Sequence, residues 1–241
     1  MPNPFFQFKK FTIFHERCAM KVGVDGVLLG AWADVEGAES VLDVGTGSGL
    51  IALIVAQRNC VAYITAIDID ENAVMQAAEN FRNSVYFDRV TAKSFDFRKI
   101  LSPNEKFAHI ICNPPFFVNS LQSPENKRTI ARHSISLTHG ELLSNAKTLL
   151  TEKGKISLIL PVDEGKKAIA FAAKIGLTLS RCTAVISKPT KSAKRLLLEF
   201  VIDKNDGNQI ITENSLIIET EQRGVYTQEY IDLVKDFYLK M

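Results

Sequence analysis

The chain has 241 residues, of which 46% are hydrophobic and 23% are charged. This size and composition are typical of a folded α/β domain and exclude a predominantly disordered chain. A formal net charge of +2 does not require a nucleic-acid partner, although it allows a local basic face.

The sequence predicts a cytoplasmic protein that neither crosses a membrane nor holds a metal ion. The first residues lack the charged and apolar regions of a signal peptide. The longest run without charged residues, 107–124, is interrupted by asparagines and prolines. The four cysteines form no Cys-x-x-Cys pair, and the histidines show no ligand spacing, so we expect reduced thiols.

Predicted strands and helices alternate along most of the chain. Residues 5–14 are rich in aromatic residues and partly alternate, which predicts a strand or hairpin, and a short helix is predicted at 24–33. The elements that follow, in chain order, are a strand at 41–44, a helix at 50–58, a strand at 62–67, a helix at 71–83, strands at 90–93 and 107–112, a helix at 137–150, a strand at 155–160, a helix at 163–174, strands at 177–186 and 195–202, and a helix at 226–239.

This order of elements predicts an α/β fold. Strands that alternate with helices form a mainly parallel sheet with helices on both faces. After residue 177 one strand follows another directly, which predicts an antiparallel hairpin near the C-terminus. No linker-like segment divides the chain, so we expect a single domain.

A glycine-rich turn lies between the strand at 41–44 and its helix, with the sequence Asp-Val-Gly-Thr-Gly-Ser-Gly at residues 43–49. Glycines allow positive φ and a close approach of the backbone to a ligand, and the free N–H groups of a helix start favour an electron-rich group. The segment lacks the Gly-Lys-Ser/Thr of a P-loop, and Leu50 stands where a dinucleotide fingerprint needs a small residue. On this motif alone, a purely structural turn stays an alternative.

Acidic residues follow the next two strands. Asp68 ends a strand about 20 residues after the glycines, where a carboxylate can accept both hydroxyls of a ribose. Asp70 fits the N-cap of the next helix. Asp96 follows the strand at 90–93 and could bind an adenine amino group, although a loop aspartate is often only a turn residue.

The sequence Asn113-Pro114-Pro115-Phe116 directly follows the strand at 107–112. Two prolines exclude a helix and hold the backbone extended, so the Pro114 carbonyl has a fixed direction. This carbonyl and the Asn113 side-chain carbonyl offer two acceptors for one planar amino group, which turns the nitrogen lone pair towards an electrophile. Phe116 offers a face on which a base can stack. The position at the carboxyl end of a strand, where α/β sheets bind ligands, favours a catalytic loop over a simple proline turn.

These motifs together resemble those of S-adenosylmethionine-dependent amino-methyltransferases of the Rossmann-like class I fold, which methylate adenine N6, guanine N2 or a glutamine amide. Three further segments, at 17–32, 188–199 and 226–238, are similar to the bacterial tRNA1(Val) (adenine-37-N6)-methyltransferases. The resemblance covers nearly the whole chain, from Phe5 to Tyr238.

The resemblance implies methylation of N6 of an adenine in tRNA, at position 37 beside the anticodon of tRNA1(Val), with S-adenosylmethionine as the donor and with no metal or obligate protein partner. It implies an N-terminal extension at 1–39 that helps close the cofactor site, a Rossmann-like core at 40–202, and a C-terminal strand and helix at 203–241. The implied catalytic residues are Asn113, Pro114 and Phe116. The implied cofactor contacts are Lys21, Asp25, Asp43, Gly45, Gly47, Gly49, Asp68, Asp96 and Phe97.

Two groups of basic residues are candidates for contacts with RNA phosphates. The first group follows the Asn-Pro-Pro-Phe loop and consists of Lys127, Arg128 and Arg132. The second group lies in a stretch that contains no acidic residue and consists of Lys188, Lys191, Lys194 and Arg195. Such runs are more often solvated surface, but both lie beside or after the predicted site.

Three alternatives stay open at the level of the sequence. A protein-glutamine N5-methyltransferase uses a similar Asn-Pro-Pro loop, but usually has a helical domain before the glycine-rich strand and a tyrosine after the prolines; only 42 residues precede Asp43 here. An rRNA guanine-N2 methyltransferase commonly has a longer, two-domain chain. A non-catalytic RNA-binding module is disfavoured by the intact acceptor pair at Asn113 and Pro114.

Overall fold

A computed structural model describes residues 3–99, 104–114, 137–202 and 212–241. The strands in these ranges are β1 (Phe5–Gln7), β2 (Thr12–Phe14), β3 (Ser40–Val44), β4 (Tyr63–Asp68), β5 (Val90–Ser94), β6 (Phe107–Cys112), β7 (Leu150–Pro161), β8 (Leu177–Ile186), β9 (Arg195–Ile202) and β10 (Thr212–Ile217). The helices are α1 (Val24–Trp32), α2 (Leu50–Arg58), α3 (Glu71–Arg82), α4 (His139–Leu149), α5 (Val162–Lys174) and α6 (Gln228–Val234).

Eight strands form one sheet in the order β10-β8-β9-β7-β6-β3-β4-β5. The neighbours from β7 to β5 pair in parallel, and β9 pairs antiparallel with both β7 and β8. The predicted mainly parallel sheet with an antiparallel hairpin is therefore confirmed. Because β10 is parallel to β8, every strand of this sheet except β9 ends on the same side, which we call the carboxyl edge.

The core lies on both faces of this sheet because side chains alternate along each strand. In β3, Val41 belongs to the hydrophobic cluster that includes α1, α2 and the hairpin of β1 and β2, whereas Leu42 belongs to the cluster that includes α4 and α5. α2 is buried from Leu50 to Ala56, since it lies between the sheet and α1. The two layers leave the loops at the carboxyl edge as the place where polar groups can meet a ligand.

The C-terminal helix is shorter than the predicted span of 226–239, because both ends of that span make extended backbone pairs. Tyr226 pairs with Glu219, and Tyr238 pairs with Phe8 of the N-terminal region. The ring centroids of Phe8 and Tyr238 lie 5.8 Å apart, and the Lys9 ammonium donates a hydrogen bond to the main-chain oxygen of Met241 at 2.8 Å. Packing between the two chain ends thus overrides the local preference for helix.

His109 in β6 is a buried core residue. Its Nδ1 lies 3.1 Å from the Asp34 carbonyl oxygen and can bond there only as a donor, so its Nε2 accepts from the Ser157 hydroxyl at 2.9 Å. Burial, with a further contribution from the Lys155 ammonium, lowers the pKa of His109 to about 3. The imidazole is therefore neutral and joins three segments of the chain.

The replacement His109→Gln tests this assignment through pH. The unfolded chain binds the imidazole proton near pH 6.5 whereas the folded chain does so only near 3, so the contribution of His109 is complete above pH 6.5 and is lost as the pH falls. We expect the difference in free energy of unfolding between wild type and variant to shrink by up to about 1.4 kcal/mol per pH unit below pH 6.5. Urea denaturation at several pH values measures this, and a constant difference would contradict it.

Candidate active site

The glycine turn between β3 and α2 lies at the carboxyl edge. Gly45, Gly47 and Gly49 have φ values of 70°, 56° and 83°, a region that other residues rarely adopt. The backbone N–H groups of Gly45 and Thr46 both donate to the Ile67 carbonyl oxygen, at 2.9 and 3.0 Å, so the turn is bonded to the end of β4. A Cβ added at Gly45 or Gly47 would meet no atom of the described chain within 4 Å. Their open sides leave room for a ligand.

The third glycine of the turn has a structural role. A Cβ added at Gly49 would lie 2.4 Å from the Phe81 ring, so α3 packs directly against the backbone at this point. The glycines therefore divide into two that border open space and one on which a helix rests.

Asp43 lies beneath the turn and is almost fully buried. Its Oδ2 accepts a hydrogen bond from the Thr46 hydroxyl at 2.6 Å. Burial, with a smaller contribution from the Asp68 carboxylate, raises the pKa of Asp43 to about 7, although the hydrogen bond from Thr46 acts in the opposite direction. A cation placed beside this carboxyl group would lower its pKa and favour the ionised form. Such an environment is expected for a contact to a cationic ligand.

The Asp68 carboxylate is held in place at the end of β4. Its Oδ2 accepts from the Gly47 N–H at 2.9 Å and its Oδ1 accepts from the Asp70 N–H at 3.0 Å. Asp70 in turn accepts from the Asn72 N–H and caps α3, as predicted. Asp68 is only half-buried, and its remaining lone pairs are available to the hydroxyls of a ribose.

Asp96 and Phe97 follow β5 at the same edge. The Arg98 guanidinium binds both oxygens of Asp96, at 2.8 and 2.6 Å, and these hydrogen bonds lower the pKa of Asp96. The Phe97 ring is buried in the core cluster of α4 and α5. If these residues contact an adenine, Asp96 does so as an ion-paired carboxylate and Phe97 through its backbone.

Asn113 and Pro114 follow β6 and lie next to the glycine turn, since Cys112 pairs with Val44 in the sheet. The Asn113 Oδ1 atom is buried and accepts no hydrogen bond from the parts of the chain that the structure describes. An unsatisfied buried acceptor costs about 1–3 kcal/mol, so such an atom calls for a donor from outside the fold. The Pro114 residue beside it is also buried. Phe116 and the basic residues Lys127, Arg128 and Arg132 lie outside the described residues.

The N-terminus of α1 also reaches the carboxyl edge. Asp25 in its first turn accepts a hydrogen bond from Arg195 Nε at 2.8 Å, which joins α1 to the start of β9. Lys21, two residues before the helix begins at its N-cap Gly23, is exposed. The structure thus pairs Asp25, a predicted cofactor contact, with Arg195, a predicted phosphate contact.

The second basic group lies at the carboxyl edge, in the connection from β8 to β9. Although the stretch itself contains no acidic residue, two of its members have acidic partners from elsewhere in the chain, because Lys188 pairs with Glu219 at 3.4 Å and Arg195 pairs with Asp25. Lys191 and Lys194 are exposed and form no ion pair within the described residues. These two cations are the ones available to a phosphate.

Two polar residues near the site escape the motif analysis. Asn80 and Gln76 lie on the buried face of α3, where the sequence pattern otherwise places Ala73, Ala77 and Phe81. The Gln76 Oε1 accepts from the Arg17 N–H at 3.3 Å, so α3 holds the N-terminal extension. A polar side chain on the apolar stripe of an amphipathic helix is the signal that could have identified both residues.

The N-terminal extension reaches the same edge of the molecule. Burial, together with the charges of Asp68 and Asp70, raises the pKa of the Cys18 thiol to about 11. The N-terminal extension therefore lies within electrostatic reach of the Asp68 carboxylate.

Among the residues that the structure describes, no group of three or more His, Cys, Asp or Glu side chains is placed to hold a metal ion. None of the helices in those ranges has the length and apolar character of a membrane span.

A parallel sheet that carries a glycine turn, a ribose-type acid and an Asn-Pro-Pro loop at its carboxyl edge defines the class of Rossmann-like amino-methyltransferases. A family model described as methyltransferase small domain matches residues 26–176. A protein of Phocaeicola vulgatus is 46% identical over the full length of both chains, and one of Bacteroides thetaiotaomicron is 43% identical over the full length of both. Both are named tRNA1(Val) (adenine(37)-N6)-methyltransferase. The chain belongs to this family.

The fold agrees with solved structures. A predicted O-methyltransferase from Agrobacterium tumefaciens superposes with a TM-score of 0.69 over 88% of this chain and 96% of its own, at 21% identity. The predicted family, fold class and enzyme class are confirmed, and S-adenosylmethionine is the methyl donor of this class of enzyme. The names of the full-length relatives favour the tRNA adenine-N6 interpretation over the three alternatives that the sequence left open.

Replacing Gly47 or Gly49 by alanine should distinguish the glycine that borders ligand space from the glycine that packs against α3. Gly47→Ala adds a methyl group on the open side and should lower the free energy of unfolding by about 1–2 kcal/mol through backbone strain alone. Its affinity for S-adenosylhomocysteine should fall by more than about tenfold, since a 1.4 kcal/mol loss of fit already has that effect. Gly49→Ala should destabilise the fold more strongly, by roughly 3–5 kcal/mol, because its Cβ collides with Phe81.

Urea denaturation and calorimetric titration measure the two effects. Wild-type affinity in Gly47→Ala would show that the ligand does not occupy the open side of the turn.

Proposed function

We propose that this chain transfers a methyl group from S-adenosylmethionine to N6 of adenine 37 in tRNA1(Val). The observation that carries the proposal is the buried Asn113 Oδ1, which lacks a donor in the described chain and lies beside the glycine turn. The names of the full-length relatives support the substrate. Asn113 directly follows Cys112, which pairs with Val44 at the end of β3, and this position supports transfer between a donor on one loop and an acceptor on the next.

The adenine amino group has two N–H donors and needs two acceptors. Asn113 Oδ1 accepts one and the Pro114 carbonyl accepts the other, which draws the nitrogen lone pair out of conjugation with the ring. Phe116 stacks on the base and fixes its plane. S-adenosylmethionine supplies an electrophilic methyl group on a sulfonium that serves as its own leaving group.

The protein therefore mainly aligns the reacting atoms. The nitrogen becomes acidic once methylated, so its proton passes to water without a strong general base. The adenine leaves its stack in the RNA to reach this position.

The methyl donor is held by the groups around the glycine turn. Asp68 accepts the ribose hydroxyls, and the open sides of Gly45 and Gly47 allow the donor to approach the backbone. The carboxyl group of Asp43, with its raised pKa, faces the cationic end of the donor. The remaining contacts that we assign to the donor site are Lys21, Asp25, Gly49, Asp96 and Phe97.

The tRNA lies across the connection from β8 to β9. Lys191 and Lys194 contact its phosphates, while Lys188 and Arg195 act there as members of ion pairs. We assign Lys127, Arg128 and Arg132 to the same RNA surface.

The chain works as one cytoplasmic domain without an obligate protein partner. Residues 1–39 close the donor site, 40–202 form the catalytic core, and 203–241 add the C-terminal strand and helix. The contact of α3 with the N-terminal extension and the nearness of Cys18 to Asp68 support this role of the extension.

Mass spectrometry of tRNA nucleosides tests the reaction. Incubation of unmodified tRNA1(Val) with the protein and S-adenosylmethionine should produce one N6-methyladenosine per molecule, and tRNA with guanine at position 37 should gain none. Methylation at another base, or of a protein amide only, would contradict the proposal.

The variant Asn113→Ala tests the acceptor site. It removes one of two contacts to the reacting nitrogen, and the single-turnover rate at saturating donor should fall by about 10²–10³, as for the loss of one preorganised electrostatic contact. The free energy of unfolding should not fall and can rise by up to about 1–3 kcal/mol, because the variant loses no Oδ1 hydrogen bond within the described chain and removes an unsatisfied buried acceptor. Donor affinity should survive. Transfer at the wild-type rate would show that the loop is not the acceptor site.

The double variant Lys191→Gln/Lys194→Gln tests the RNA surface. Removal of two phosphate contacts should make the slope of log K against log salt shallower by about 1.4–1.8 units in titrations of tRNA binding. The matched control is Lys153→Gln/Lys174→Gln, which makes the same change of charge at exposed lysines on the opposite edge of the sheet. Equal slopes in the two double variants would assign Lys191 and Lys194 to ordinary solvated surface.

A further inference from the structure

Asn80 joins two parts of the chain that are far apart in sequence. It lies on α3 and is fully buried. Its Nδ2 donates to the Phe14 carbonyl oxygen and to the Ser48 carbonyl oxygen, both at 2.8 Å, and its Oδ1 accepts from the Phe14 N–H at 3.0 Å. Every polar atom of this carboxamide therefore bonds backbone, in the β1–β2 hairpin on one side and in the glycine turn on the other.

The two bonded segments have different relations to the methyl donor. Ser48 lies between Gly47, which borders the open side of the turn, and Gly49, which rests on α3. Phe14 ends β2, whose strand pairs with β1 and whose backbone leads to Cys18 beside Asp68. Asn80 thus connects the glycine turn, on which we place the donor, with the N-terminal segment that we assign to closure of the donor site.

We infer that Asn80 is a positioning residue that couples binding of the methyl donor to docking of the N-terminal hairpin. Donor binding that restrains the glycine turn also restrains the Ser48 carbonyl. Because the Asn80 carboxamide bonds both Ser48 and Phe14, the backbone at Phe14 is restrained as well. The coupling is reciprocal by thermodynamic necessity, so a well-docked hairpin raises the affinity for the donor. This inference rests on the proposed placement of the donor on the glycine turn.

The chain offers a matched control in Asn59. This carboxamide is also buried, its Nδ2 donates to two carbonyl oxygens and its Oδ1 accepts from the N–H groups of Val61 and Ala62, both at 2.9 Å. It lies after α2, at the edge opposite the glycine turn. Asn59→Ala removes the same kind of interaction as Asn80→Ala without touching either segment of the donor site.

The first experiment compares the two variants. Both should melt at a lower temperature than wild type, by several degrees. Only Asn80→Ala should lose affinity for S-adenosylhomocysteine in calorimetric titration, by about 5- to 20-fold, the lower part of the usual range for coupling between sites. Its KM for S-adenosylmethionine should rise while its KM for tRNA stays unchanged. Equal donor affinities in the two variants would overturn the inference.

The second experiment needs no variant, so it decides the question even if Asn80→Ala does not fold. In hydrogen exchange of the ¹⁵N-labelled wild type, S-adenosylhomocysteine should slow exchange of the Phe14 amide, which donates to Asn80, at least about fivefold. The amides of Val61 and Ala62, which donate to Asn59, should exchange as before. Unchanged exchange at Phe14 would overturn the inference.

Asp68→Asn separates this inference from the proposed function. Loss of affinity for S-adenosylhomocysteine in Asp68→Asn together with wild-type affinity in Asn80→Ala would leave the donor site in place and refute the coupling. Wild-type affinity in Asp68→Asn would refute the proposed placement of the donor itself.

Discussion

The backbone at residues 45–49 can run close to the open end of the sheet because three glycines in it adopt positive φ. Its path is held from three directions, by the Ile67 carbonyl, the Asp68 carboxylate and the Asn80 carboxamide. β4 and α3 supply these partners, so the turn is bonded to the elements that follow it in the chain. The same sheet places β6 beside β3. The separation between the glycine turn and Asn113, the proposed donor and acceptor positions, is therefore set by two adjacent parallel strands, which leaves little freedom for misalignment.

Local patterns predict the parallel core well. α2 matches its predicted span and β6 matches its predicted strand. Both are apolar runs bounded by glycine or proline, and this pattern can be recognised from residues that are neighbours in the sequence. The C-terminal helix was predicted too long, since Tyr238 pairs with Phe8 across almost the entire chain. In the candidate site, motifs predict roles for Asp68 and Asn113 but give no signal for Asn80, whose inferred role depends on contacts with Phe14 and Ser48. Contacts between distant segments leave no trace in local periodicity.

Ion pairs between distant segments likewise cannot be predicted from the distribution of charge along the sequence. Four basic residues lie between residues 188 and 195 with no acidic residue among them, yet Glu219 and Asp25 neutralise two of them in space. Ion pairs that water still reaches contribute little to stability. Their effect here is geometric, since Arg195 ties β9 to α1 and Lys188 ties the connection to the segment after β10. Lys191 and Lys194, which form no ion pair with the residues that the structure describes, are exposed on a connection held in place at the carboxyl edge.

Three asparagines show how one residue type serves structure and chemistry in the same chain. Asn59 and Asn80 use both atoms of their carboxamides to bond backbone, which repays the cost of their burial. Asn113 Oδ1 is buried as well but has no donor in the described chain, a cost of about 1–3 kcal/mol to the folded protein. In the proposed reaction, the amino group of the adenine supplies an N–H donor to Oδ1 and removes that cost at the moment of binding. The proposed site would therefore favour an amino group over a carbonyl oxygen, which would leave Oδ1 without a donor.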